Sequence, residues 1–117
     1  MLDERRKYPR VRCTLTSHFA GAENSPVVLS PPVVVEDISQ GGVRLHTQQF
    51  IPKSGDLSLQ IYLSSFTSAQ VHLRVAWSHE LPHNSGYRVG AEFVDIRERD
   101  KKALQDFIYQ VLVEENE

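Results

Sequence analysis

The chain has 117 residues, enough for one domain; two would each be left with a thin core. Its 40% hydrophobic and 24% charged residues exclude a disordered chain, and its net charge of −2 gives no bulk attraction to nucleic acid or an anionic membrane. The single cysteine, Cys13, cannot close an internal disulfide, so a reducing, cytoplasmic setting is expected. No apolar run is long enough to cross a bilayer, and with charges from Asp3 onward no secretory signal is expected.

The first element in chain order is a basic arm over residues 1–10, with Arg12 close behind it. Residues 1–12 hold five basic and two acidic side chains; 13–94 hold four and six, and 95–117 hold four and seven. Positive charge is thus gathered at one end, where a compact anion could be met without the whole protein being basic. Pro9 fixes its own φ and pushes Tyr8 towards extended geometry, so the arm is not a helix. It is expected to be mobile until a ligand orders it.

From Val11 the pattern alternates through Cys13, Leu15 and Phe19, the mark of a half-buried strand. Residues 21–32 read as a loop rich in turn formers. Val33–Ile38 predicts a second strand, Ser39–Gly42 a tight turn, and Val43 and Leu45 open a third strand. Leu57, Leu59, Ile61 and Leu63 alternate. Val71, Leu73, Val75 and Trp77 do the same, followed by Tyr87, Val89, Ala91 and Phe93, with Pro82–Gly86 as a hairpin loop. The period then becomes helical through Leu104, Phe107, Ile108, Val111 and Leu112. A helix is predicted over about 96–114, with Asp95 and Glu98 as a capping box. The expected architecture is all-β: a six-stranded antiparallel barrel over 11–94 with one C-terminal α-helix and tail over 95–117, in a single domain of 1–117.

Enzyme signatures are missing. There is no P-loop, GxGxxG, HExxH or CxxC, and the five histidines lack metal-ligand spacing, so neither catalysis nor a cofactor or metal is expected. Cys13, on the apolar phase, reads as an inert thiol. Two constellations remain. In Arg5-Arg6-Lys7-Tyr8-Pro9-Arg10, guanidinium forks suit phosphates or the O6/N7 edge of guanine, although a basic tail can equally be only solvated. In Asp37-Ile38-Ser39-Gln40-Gly41-Gly42, a carboxylate and a hydroxyl two residues apart share a side of the strand end. The carboxylate could accept guanine N1–H and N2–H₂; equally, both side chains could bond only their own turn. Gly42 suits a positive φ or a close backbone approach. Trp77 could stack a base at the rim or simply fill the core.

Taken together, RxxxR (Arg6, Arg10) and DxSxxG (Asp37, Ser39, Gly42) some thirty residues later resemble the PilZ family. Val43-Arg44-Leu45, Val75-Ala76-Trp77 and Gly90-Ala91-Glu92-Phe93 before a terminal helix fit the same pattern. The resemblance implies a six-stranded barrel that binds the bacterial second messenger cyclic di-GMP without catalysis. It implies that Arg6 and Arg10 clamp guanines and phosphates, Asp37 reads guanine donors, Ser39 bonds the ligand, and Gly42 lets it approach the backbone. Arg5 extends the pattern to RRxxxR, which in the family often accompanies two intercalated ligands per chain. Signalling to an unidentified protein partner by ordering of the arm is the expected output. The rival is a non-catalytic interaction module with little or no nucleotide binding. A single-stranded nucleic-acid binder is disfavoured because basic residues are not spread over a sheet face. Neither DNA, RNA nor membrane insertion is expected.

Overall fold

The computed structural model describes residues 9–19 and 33–115. Six strands, β1 (Val11–Phe19), β2 (Val33–Ile38), β3 (Gly42–Thr47), β4 (Asp56–Tyr62), β5 (Ser68–Glu80) and β6 (Tyr87–Asp95), precede one helix, α1 (Glu98–Glu115). All neighbouring strands are antiparallel, and the sheet closes on itself in the order β1-β2-β3-β6-β5-β4. The all-β barrel with one C-terminal helix anticipated from the sequence is the observed fold.

Alternation dictates the interior. Val33, Val35, Leu45, Leu59, Ile61, Leu73 and Val89 are essentially inaccessible and meet in one core. Ser17 occupies an inward position on β1, among apolar neighbours. Its burial is tolerated because Oγ donates to the Val33 carbonyl at 2.7 Å.

The helix lays Leu104 and Ile108 into this core and packs on β5 and β1. It begins at Glu98, two residues later than expected. Asp95 is not a cap but the last residue of β6, paired with His72. The acidic group that ties down the helix start is Asp100. It is 3% exposed and accepts a hydrogen bond from Gln70 N–H at 3.1 Å and from Arg97 Nε at 3.0 Å. Gln70 lies beyond the end of β6, so Asp100 satisfies a backbone donor that the β5–β6 ladder cannot reach.

Three of the four register shifts in the barrel shape the outer face. Val35 and Ile38 both point inward with two residues between them, which a regular strand does not allow. A bulge at Glu36–Asp37 opposite Arg44 resolves the conflict and turns both carboxylates outward. On β1 the residues between Arg12 and Leu15 bulge against the same segment of β2. On β5, Val75 pairs with Ala91 but Trp77 pairs with Gly90, leaving Ala76 as the extra residue.

Candidate functional site on the outer face

The β5 bulge decides where Trp77 goes. Val71, Leu73 and Val75 point inward, and simple alternation would have sent Trp77 after them. The extra residue reverses the phase, so Trp77 shares the outer face with Gly90, and Ser78, opposite the buried Val89, turns inward in its stead. The indole lies flat over Gly90: a Cβ there would sit 2.3 Å from Cε2 and Nε1. It is half-buried, and its ring centroid is 5.0 Å from that of His79.

Register aligns a row of residues around this face. Arg12 pairs with Asp37, Asp37 with Arg44, Arg44 with Gly90, and Gly90 with Trp77. A cation, a carboxylate, a second cation, a gap and an aromatic ring thus follow one another across five strands. At a spacing of about 4.8 Å per strand, Asp37 and Trp77 stand roughly 14 Å apart along the row.

Asp37 is the centre of the charged part. It is 3% exposed, with Oδ1 3.4 Å from Arg10 Nη1 and Oδ2 3.0 Å from Arg44 Nε. Neither approach is aligned as a hydrogen bond: Asp37 Oδ1 and Arg44 Nε are both buried without a hydrogen-bond partner. Next to it, Glu36 accepts from Arg88 Nε at 2.9 Å and lies 4.0 Å from Arg44. Three arginines and two carboxylates therefore alternate along the surface. Beside them is an open depression of about 640 Å³ whose walls include Arg12, Cys13, Glu36 and Arg44.

Cys13, half-buried in that wall, directs its thiol towards the Val35 carbonyl at 3.6 Å. Burial first, and the Asp37 charge second, push its pKa up to about 11. A thiol so held is protonated and inert at neutral pH.

Ser39 is buried in the turn, where its Oγ accepts from Gly41 N–H at 3.1 Å and Gly42 N–H at 3.3 Å. The alternative in which this side chain bonds its own turn thus describes its contacts. Gly42 lacks a positive φ; among the described glycines only Gly86 has one, at 96°. Close approach is what requires glycine here: a Cβ would lie 2.2 Å from the Ala91 carbonyl oxygen on β6. Arg5 and Arg6 fall outside the described residues. The residues that sequence reasoning missed are Arg44, Glu36 and Arg88. Arg44 was detectable as a polar residue between inward Val43 and Leu45, directly after the glycine turn.

Among the described residues no group of three potential metal ligands exists. His46 Nε2 lies 2.6 Å from the Ser85 carbonyl and His72 Nδ1 lies 3.1 Å from Ser58 Oγ, so each is spent on a local contact. No helix among those residues is long and apolar enough to cross a membrane.

The molecule is a closed six-stranded barrel with a terminal helix, carrying a buried carboxylate between arginines on its outer surface. The PilZ domain matches residues 4–110, and the chain belongs to the PilZ family. Among solved structures it is similar to the Klebsiella pneumoniae MrkH–cyclic di-GMP complex (TM-score 0.77, 18% identity, 98% of this chain and 56% of that one). It is also similar to Escherichia coli YcgR in complex with cyclic di-GMP (0.74, 16%, 96% and 48%). A third is the Bacillus subtilis inhibitor of motility MotI/DgrA (0.71, 21%, 92% and 52%). The chain spans about half the length of each. A search of curated proteins finds no significant match.

Proposed function

We propose that this chain is a receptor for cyclic di-GMP that binds the nucleotide on the outer face of the barrel and signals by ordering its arm for a protein partner. The observation that carries the reading is Asp37, a buried carboxylate whose Oδ1 has no hydrogen-bond partner although two arginines stand against it. An acceptor held dry and unsatisfied is disfavoured unless something supplies donors. Guanine offers N1–H and N2–H₂ side by side, and adenine does not.

In this mechanism Arg10 leaves Asp37 as guanine arrives and turns its fork to a phosphate or to O6/N7, with Arg6 on the other side. Ser39, whose Oγ accepts from Gly41 and Gly42 N–H and donates to the Gly42 carbonyl at 3.5 Å, gives the ligand its hydroxyl hydrogen by releasing that long bond. Gly42 holds β3 close to β6 and so keeps the turn low beneath the nucleotide. Trp77 stacks a base. The distance of roughly 14 Å from Asp37 to Trp77 exceeds one base, so a ligand that engages both carries more than one purine. Two intercalated molecules would do so, with Arg5 neutralising the added phosphates.

Calorimetry with cyclic di-GMP, using GTP and cyclic di-AMP as controls, tests the reading. Two ligands per chain are expected, falling to one in Arg5→Leu. Arg6→Ala and Arg10→Ala should each lose about 1.5–3 kcal/mol of binding with the barrel still folded. Asp37→Ala should lose the preference for guanine. No binding by the wild type, or equal affinity for cyclic di-AMP, would refute it.

A further inference from the structure

The β4–β5 loop and α1 carry a second constructed surface. The loop joining β4 to β5 is closed by Leu63 and Ser64 N–H groups donating to the Thr67 carbonyl, and Phe66 N–H donates to Ser64 Oγ at 3.2 Å. This braced tip holds Phe66 98% exposed. A phenylalanine ring gains nothing from water, and a loop this tightly bonded does not leave it out by slackness. Immediately beside the tip runs an open groove of about 620 Å³ between the loop and α1. Leu63, Ala103, Phe107 and Val111 supply its apolar surface. Knob and hole thus lie on one patch, the condition for a self-complementary two-fold contact.

The charges along the groove choose the occupant. The helix face that lines it carries Arg99 and Lys102 in its first turns and Asp106 and Glu114 further on. Lys102 is paired with Asp106 on its own helix at 3.6 Å, which leaves Arg99 and Glu114 as the outer charges. Halfway between these two in sequence are Asp106 and Phe107. A two-fold axis passing there sets two α1 helices antiparallel, with Arg99 of each copy beside Glu114 of the other. Phe66, on the loop that lines the same groove, is the exposed ring such a contact would bury.

We infer that a second copy of this chain docks on this patch, giving an antiparallel α1–α1 dimer locked by reciprocal insertion of Phe66. The inference is independent of the nucleotide reading, because the patch shares no residue with the outer-face row. It has a chemical signature that another partner would not reproduce, since its charge pattern is complementary to itself.

Sedimentation velocity of the whole chain from low to high micromolar concentration, without nucleotide, tests it. A reversible monomer–dimer equilibrium is expected. Phe66→Ser, which removes only an exposed ring and so leaves folding intact, should weaken dimerisation about tenfold or more. Arg99→Glu and Glu114→Arg should each weaken it. The double swap, or an equimolar mixture of the two single variants, should restore it, because only then do opposite charges again face each other. A wild type that stays monomeric, a Phe66→Ser variant that dimerises normally, or charge swaps that fail to rescue one another would each overturn the proposal. So would a monomeric chain that captures a different protein through Phe66.

Discussion

Gly42→Ala should destabilise the barrel whether or not a ligand is present. The new methyl carbon would lie 2.2 Å from the Ala91 carbonyl oxygen and 3.2 Å from the Glu92 Cα, all rigid backbone of β6. Carbon and oxygen ordinarily meet at about 3.2 Å or more, so β3 and β6 must part by about 1 Å at the Gly42–Glu92 pair. Such overpacking costs about 1–3 kcal/mol, and stretching the neighbouring Phe93 N–H to Gly41 carbonyl bond adds up to about 1 kcal/mol. Stiffening of the unfolded chain by alanine returns about 0.4–1 kcal/mol. The net loss is about 1–3 kcal/mol, or a fall in Tm of roughly 4–15 °C for a domain of this size. Urea denaturation followed by circular dichroism measures it. A change under about 0.5 kcal/mol would refute the reasoning, because the two strands would then be separating freely. Binding by this variant has to be measured well below its Tm, where lost affinity and lost structure are distinguishable.

Two further outcomes follow from the same surface. With its pKa raised to about 11, Cys13 should react with a thiol reagent at pH 8 about a hundredfold more slowly in the native protein than in urea; Asp37→Asn should quicken the native reaction only severalfold, since burial is the larger cause, and equal native and denatured rates would contradict the assignment. Gly90→Ala should lift the chain's one indole off β6, seen as a red shift and easier acrylamide quenching of Trp77 emission at a stability cost of about 1 kcal/mol, because the ring sits at the end of a rotatable side chain; unchanged emission would argue against the packing described.

The six strands and the helix were legible because their apolar residues keep one period for long stretches. Where the period breaks, the sequence misleads. Val71, Leu73, Val75 and Trp77 look like one unbroken alternation, and nothing in the letters marks Ala76 as an extra residue; only the pairing with Gly90 does. The Glu36–Asp37 bulge was more accessible, since two adjacent acids between inward Val35 and Ile38 already conflict with a regular strand. Asp95 fitted a capping box by spacing alone, and strand pairing with His72 outcompeted it. Asp37 was visible through its motif. Its unsatisfied oxygen and its arginine neighbours were not, because they depend on which side chains the register brings together.

Among the described residues the barrel closes where β1 meets β4 through Ser17–Ile61, His18–Gln60 and Phe19–Leu59, which leaves only short stretches of those two strands unpaired. A partner therefore finds little open edge on which to add a strand and collect generic main-chain hydrogen bonds. It must read side chains on the outer face, the helix or the loop tips. Those positions do not share the alternating inward set that holds the fold. Recognition and folding are thus written on opposite phases of the same strands, and partner choice can drift while the stave pattern of the barrel stays unchanged.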